Sequence, residues 1–384
     1  MFFIVTVLCT KLPFPEPLKD VPEIKNRIEI RRGSQGVVEK VCFKEQLFAM
    51  KSTYSNVEAM QNIVKNEITI LHSLDHPNII KFSSFWENEL TQMHNDQKFK
   101  MHCYHYLLEL MDGDLYDHLE NLRFKGNSLH KYMQQKHELQ IIYNQILSAL
   151  KYIHGLGIYH LDIKTENILV KTENGQTVYK LGDFGLSTTT PSARLVGTPD
   201  FFPPEMYNTY IERSLLIDIR KAIMLLTGSH QTSNKMFFTV LNVKFQTFQP
   251  PKQELLTYIF KKFKELLWSE FIRFLIDFEN STRSISNRIV EIGKMTWDAQ
   301  STDIFEFGKT LLDVGIHFDN ARVARKGTCF DGSQQISQDE MTNEKFDISP
   351  SFAKNLKFQS IVRKMMHCEF EKRPTAAVLM NFEF

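Results

Sequence analysis

Two short polar runs carry the side chains in this sequence best suited to chemistry. His160-Leu161-Asp162-Ile163-Lys164-Thr165-Glu166-Asn167 gathers a carboxylate, an amine and an amide, and Leu181-Gly182-Asp183-Phe184-Gly185 adds another carboxylate. Upstream stand a lysine closing an apolar stretch, Phe48-Ala49-Met50-Lys51, and a glycine pair, Gly33 and Gly36. Phosphoryl transfer is a chemistry that such parts could serve. It asks little covalent work of a protein: the triphosphate must be held, its charge neutralised by metal, and the acceptor hydroxyl aimed in line. Taken singly, each part is ordinary, since a glycine pair is usually a turn and a lone Lys or Glu is usually solvated surface. Two multi-residue runs in order around a strand hairpin are harder to dismiss as stray loop polars.

The elements that must position these residues are legible from periodicity. Over residues 28–51 apolar side chains alternate around the glycine pair, which predicts antiparallel strands joined by a tight turn. Residues 56–74 have helical spacing (Met60, Ile63, Val64, Ile68, Leu71), and His76-Pro77 ends that helix. Strands are predicted again over 79–86 and 104–110, with the polar stretch 87–100 between them as an extended loop. Residues 139–154 return to a helical pattern through Ile141, Ile142, Ile146, Leu150 and Ile153. Short strands over 168–170 and 178–181 flank Asn174-Gly175, a hairpin-turn signal. A small β-rich lobe followed by a mainly helical one is the expected α+β architecture.

Bulk properties exclude several classes. The 384 residues are 42% hydrophobic and 24% charged, as in an ordinary globular protein. Lys+Arg (46) nearly balance Asp+Glu (45), so no global field marks a nucleic-acid partner. Five scattered cysteines predict neither a metal-ligand pair nor a disulfide framework and favour a reducing compartment, with a cytoplasmic location as the default. The apolar start MFFIVTVLCT is too short for a membrane span, which takes ~20 residues, and lacks the basic n-region of a signal peptide. It is expected to be a tail or an edge strand packed on the first lobe.

Together the motifs resemble the eukaryotic protein kinase family, from about residue 28 to the C-terminus with one interruption. Arg31-Arg32-Gly33-Ser34-Gln35-Gly36-Val37-Val38 is similar to the G-x-G-x-x-G-x-V phosphate loop, with Arg31 in place of the first glycine. The resemblance implies that Gly33 and Gly36 let backbone N–H groups approach the phosphates of ATP while Val38 covers the adenine. It implies that Lys51 contacts the α/β-phosphates and pairs with Glu67 on the next helix. Asp162 would accept or orient the substrate hydroxyl proton, Lys164 would neutralise the transferred group, and Asn167 and Asp183 would hold two Mg²⁺ ions. The hinge falls at Leu108-Glu109-Leu110-Met111, with the backbone of Glu109 and Met111 reading adenine, Leu108 behind it, and Leu169, Ala49 and Val38 sandwiching the ring. These last positions fit plain core equally well. Lys164 and Gly197-Thr198-Pro199 imply a serine/threonine kinase rather than a tyrosine kinase, with Thr198 bridging Asp162 and Lys164, and Glu205 pairing with Arg373.

Leu161 stands where the family often has an arginine that grips a phosphate on the activation loop. Activity is therefore expected not to need phosphorylation there, although Ser187, Thr188, Thr189, Thr190 and Ser192 are available acceptors. After Glu205 the family places a buried helix opening on Asp. Asp218 and Asp303 compete for that place, and Asp303, followed by Phe305, Phe307 and Gly308, is preferred. That choice makes about 206–300 an insertion. Its apolar stripe from Leu255 to Phe274, with interleaved lysines, fits a helix folded onto the large lobe, a membrane-surface or partner helix, or a stretch absent from the working protein.

The expected organisation is an N-terminal extension (1–23), a small lobe (24–111) and a large lobe (112–384) interrupted at about 206–300, with ATP and Mg²⁺ between the lobes. Protein substrates bearing Ser or Thr are the implied partners, with no nucleic acid and no membrane span; nothing in the sequence fixes an oligomeric state. A catalytically weak or inactive pseudokinase acting as a binding scaffold is the alternative, supported by Arg31, Leu161 and the insertion.

Overall fold

The computed structural model describes residues 12–33, 36–94, 97–122, 128–227, 287–318 and 356–382. Residues 1–10, Ser34 and Gln35 of the glycine loop, and the apolar stripe at 255–274 lie outside the described residues.

Alternating side chains build a five-stranded antiparallel sheet in the order β1-β2-β3-β5-β4. Its strands are β1 (Lys25–Gly33), β2 (Gly36–Phe43), β3 (Gln46–Ser55), β4 (Phe82–His94) and β5 (Gln97–Glu109). The β2–β3 turn is Lys44-Glu45, with φ of 49° and 65°. That is a primed turn made without the Asn or Gly that favours it, so nothing in its composition announces it. β4 and β5 correct the expected loop at 87–100: they continue as one ribbon, pairing Glu87 with Tyr104 and Leu90 with Met101. Glu89 reaches across to Lys100 at 3.1 Å and His102 at 3.6 Å. A solvated ribbon held by backbone bonds and cross-strand charge pairs needs no apolar alternation, so its composition reads as loop.

α1 (Glu58–Ser73) follows β3, burying Val64, Ile68 and Leu71, and stops at Leu74 ahead of His76-Pro77. A second, smaller sheet is formed by β6 (Gly113–Asp114), β7 (Ile168–Glu173) and β8 (Gln176–Leu181). Asn174 and Gly175 turn β7 into β8 with φ of 53° and 77°, the primed turn that pair predicts. α2 (Leu115–Asn121) is capped by Asp114, whose carboxylate accepts the Asp117 N–H. α3 spans Ser128–Gly155, starting well before the periodic segment at 139–154. Then come β9 (Ser192–Ala193), α4 (Pro204–Thr227), α5 (287–294), β10 (Trp297–Asp298), α6 (Ala299–Phe318), α7 (Leu356–Met365) and α8 (Ala376–Leu379).

α6 is the axis of the helical lobe. Its Thr302, Asp303, Glu306 and Thr310 are as buried as its Phe305, Phe307 and Leu311, which marks a helix enclosed on every face. Gly308 is obligatory there, because a Cβ would lie 2.8 Å from Met365 Cβ on α7. One apolar cluster runs from Ile68 of α1 through Ile142 and Ile146 of α3 to Phe305, Phe307 and Phe358. Asp218 lies inside α4, whereas Asp303 sits in this core. Trp297 and Asp298 pair with β9, so the end of the 206–300 stretch is part of the fold. Among the described residues no helix is long and apolar enough to cross a membrane.

Residues 12–24 run along the small lobe: the Leu18 N–H donates to Phe85 O at 2.8 Å, and the Phe14 ring meets Phe85 edge-on at 5.2 Å. Cys42 and Cys103 are free, and Cys368 is disulfide-bonded, a bridge that the scattered cysteine spacing does not announce.

His105 on β5 stacks on Trp86 and bonds Ser52 at 2.8 Å and Asn88 at 3.2 Å. Burial, with Arg27 adding to it, pushes its pKa from the ordinary 6.5 down to about 4. Below pH 6.5 the unfolded chain takes up a proton that the folded His105 refuses, so stability is lost as pH falls toward 4, by up to about 1.4 kcal/mol per pH unit. Melting curves between pH 7.5 and 4.5 are expected to show a shallower decline for His105→Gln; parallel curves would contradict this origin.

Candidate active site

The two lobes meet around a cavity of about 730 Å³. Every residue singled out above for nucleotide, metal or transfer chemistry borders it: Gly33, Gly36, Val38, Ala49, Lys51, Glu67, Glu109, Met111, Asp162, Lys164, Asn167, Leu169 and Asp183. The roof comes from β1–β3 and the floor from β6–β8 and the segments beside them.

β3 points Lys51 downward into the cleft, and α1 brings Glu67 to it from the side. Lys51 Nζ donates to Glu67 at 2.9 and 3.0 Å and to Asp183 Oδ1 at 2.9 Å. Burial alone would lower the Lys51 pKa, but Asp183 and then Glu67 outweigh it, and the ammonium lies well above its usual range. Burial would likewise raise Asp183; Lys51 reverses that and holds the carboxyl below its usual value. Asp183 has φ of 57°, a left-handed conformation that a non-glycine residue adopts only where surrounding contacts impose it. Phe184 beside it is fully buried, with its ring against His160 at 4.9 Å. Asn66 of α1 donates to Ser187 O at 2.9 Å, tying that helix to the segment after Asp183.

A second cluster forms around Asp162. Its Oδ1 accepts from Thr198 Oγ1 at 2.7 Å, and its Oδ2 accepts from Lys164 Nζ and Asn167 Nδ2, each at 2.9 Å. Lys164 also donates to Thr198 at 2.7 Å. Four side chains from two loops are thus locked to one another at the cavity wall. The Asn167 amide nitrogen also donates to Asp162 O at 2.8 Å, which leaves its Oδ1 as an acceptor. Asn167 Oδ1 and the Asp183 carboxylate are hard oxygen donors of the kind Mg²⁺ takes alongside phosphate oxygens. Two such donors on neighbouring segments suit an ion that completes its coordination with waters and phosphate oxygens.

The backbone beneath is fixed from α6. Asp303 accepts the N–H groups of His160 and Leu161 at 2.8 and 2.7 Å. Leu161 has φ of 65° and packs on Ala193 and Ala299. β9 pairs with β10, and Tyr159 and Thr188 exchange two backbone bonds at 2.9 Å. Ser187 and Thr188 are buried, which removes them from the expected acceptors; Thr190 and Ser192 are exposed. Farther out, Glu205 and Arg373 form a bidentate pair at 2.8 and 2.9 Å.

Three neighbours of this site hold contacts that the sequence does not announce. Arg31, at the first-glycine position of the phosphate loop, reaches across the cleft mouth to Asp114 at 3.3 Å. Tyr106, buried, pairs with Lys51 across β3–β5 and so shares its face; the alternation of β5 could have found it. Glu306 lies three residues after Asp303, a spacing that puts both on one helix face.

Comparison with known proteins agrees with this geometry. The protein kinase domain family model matches residues 25–219. The mouse (Mus musculus) serine/threonine-protein kinase DCLK3 is 31% identical over 167 residues, 42% of this chain and 18% of that protein. Two Caenorhabditis elegans proteins are 32% identical: serine/threonine-protein kinase zyg-8 over 160 residues (40% of this chain, 17% of that protein) and Aurora/IPL1-related protein kinase 2 over 183 residues (46% and 49%). The chain thus spans less than half the length of each of these curated relatives.

Proposed function

The chain belongs to the protein kinase family, and from that premise we propose that it is an active serine/threonine kinase, moving the γ-phosphate of ATP onto Ser or Thr hydroxyls of protein substrates. The observation that carries this reading is the complete pair of clusters, Lys51–Glu67–Asp183 and Asp162–Lys164–Thr198–Asn167, opening on one cavity.

Within it, Val38, Ala49 and Leu169 bracket the adenine, and the backbone of Glu109 and Met111 reads its edge. Gly33 and Gly36 bring the β1–β2 turn close over the phosphates. Lys51, held by Glu67, neutralises the α/β-phosphates. Asp183 and Asn167 would hold Mg²⁺ beside the nucleotide, and the ion would supply charge neutralisation for its phosphates. Asp162 accepts or orients the hydroxyl proton of the substrate. Lys164, bonded to Asp162, offers its charge to the transferred group, and Thr198 fixes both. The hydroxyl class rests on Lys164 and Thr198 and on the serine/threonine kinases among the relatives. With Mg²⁺-ATP, peptides carrying Ser or Thr are expected to be modified and matched Tyr peptides left untouched; equal turnover of the Tyr peptides would overturn the class.

Activity is also proposed to be independent of loop phosphorylation. Leu161 offers no grip for a phosphate, and apolar packing on Ala193 and Ala299, with the β9–β10 pairing, already docks the segment. Phosphatase treatment is expected to leave the rate within about twofold; strict loss would contradict the proposal.

A further inference from the structure

Asp303 is not the only buried carboxyl of α6 beneath the catalytic loop. Glu306 Oε2 accepts the Ile163 N–H at 2.8 Å, and Thr310, one turn on, donates to Ile163 O at 3.1 Å. α6 therefore grips both peptide groups of the residue that directly follows Asp162. Glu306 has no solvent exposure, and its other oxygen, Oε1, is buried without a hydrogen-bond partner. That oxygen borders the space left by the absent side chain of Gly197. A Cβ on Gly197, which has φ of +108°, would lie 3.5 Å from Glu306 Oε1 and 2.6 Å from Leu161 O. The carboxyl thus stands where the catalytic loop meets the Gly197-Thr198 segment, and both sides of that junction supply bonds to the Asp162 carboxylate.

We propose that Glu306 is a positioning residue for phosphoryl transfer, holding Ile163, and through it Asp162, at a fixed distance from Thr198. Burial, then Asp303 on its own helix, then Asp162 on the loop push its carboxyl well above the usual range; the Ile163 N–H and Lys164 oppose that without reversing it. A charge here would face two carboxylates and one lysine in a site sealed from water, an arrangement that burial disfavours. Among such groups a glutamine supplies the same acceptor at nearly the same volume, while methionine fills the space and accepts nothing.

The inference rests on the reading of Asp162 as the group at the acceptor hydroxyl, so its test has one arm that needs no turnover. In the full chain, Glu306→Gln is expected to keep kcat within about threefold of wild type. Glu306→Met is expected to lower kcat by roughly 10- to 100-fold per nucleotide-binding site, with KM for ATP within about twofold, as a small misplacement of a reacting group does. Amide hydrogen exchange at Ile163 should quicken in the Met variant and not in the Gln variant, while the core of α6 stays protected. A Met variant with unchanged kcat, or a Gln variant as slow as Met, would overturn the proposal. If wild type transfers no phosphate, the functional reading fails on its own. Unchanged Ile163 protection in Glu306→Met would then still overturn the positioning role, and its selective loss would uphold it. Should the Met variant not fold, Glu306→Ala takes its place in both arms.

Discussion

Asp162→Ala is expected to lower phosphate transfer by roughly 10² to 10⁴, the range that a positioned proton acceptor contributes, while ATP binding changes little. The separation follows from the geometry. Lys51 is held by Glu67 and Asp183, and the Asp162 backbone carbonyl still accepts from Asn167, so losing the carboxylate leaves the nucleotide-binding half largely in place. In rate terms the loss corresponds to about 2.7–5.4 kcal/mol of transition-state stabilisation. Steady-state kinetics would show it as a fall in kcat at near-constant KM for ATP. A parallel rise in that KM would mean that Asp162 shapes the nucleotide pocket as well, and a rate within tenfold of wild type would remove it from the proton's path.

The largest stability effect is expected far from the transfer site, at Arg373→Ala. The Arg373 side chain is fully enclosed and bonds both oxygens of Glu205, the carbonyl of His367 at 2.8 Å and Ser301 Oγ at 3.2 Å, with its guanidinium over the Phe305 ring at 4.9 Å. Truncating Arg373 leaves the partly exposed Glu205 carboxylate without its partner and empties the enclosed space that the guanidinium fills, at about 3 kcal/mol, the low end for a buried pair. Against the ~5–15 kcal/mol that holds a typical domain together, that is a large fraction. Urea titrations are expected to show a sharply lower midpoint. The double variant Glu205→Leu with Arg373→Leu should lose less than the single Arg373→Leu, because no orphaned charge remains. Equal midpoints for wild type and Arg373→Ala would show the pair to be idle.

Much of this is legible in the sequence alone. Lys51, Glu67, Asp162, Asn167 and Asp183 lie in short motifs of fixed order, and the structure brings all five to one cavity. The Asn174-Gly175 hairpin was readable because few pairs accept two positive φ angles. Lys44-Glu45 makes the same turn with residues that carry no such signal, and so passed unseen. The β4–β5 ribbon read as loop because its stability lies in backbone bonds and cross-strand pairs such as Glu89 with Lys100, to which composition is blind. Glu306 escaped for a different reason. A glutamate between two phenylalanines looks like the polar edge of a helix, and only the three-dimensional enclosure of α6 makes it a buried acceptor. The Arg31–Asp114 contact likewise joins residues far apart in sequence, brought together only where the two lobes face each other across the cleft.

The central claim is that the assembled site transfers phosphate rather than merely binding nucleotide. Its most direct test is a rapid-quench single turnover with Mg²⁺-ATP labelled at the γ-phosphate and a Ser/Thr peptide, run beside Asp162→Ala. The account predicts phosphopeptide appearing in step with ADP in the wild type and essentially none in the variant. A wild type whose melting temperature rises with Mg²⁺-ATP, yet which forms no more phosphopeptide than Asp162→Ala, would contradict it and make the cleft the nucleotide-binding core of a scaffold.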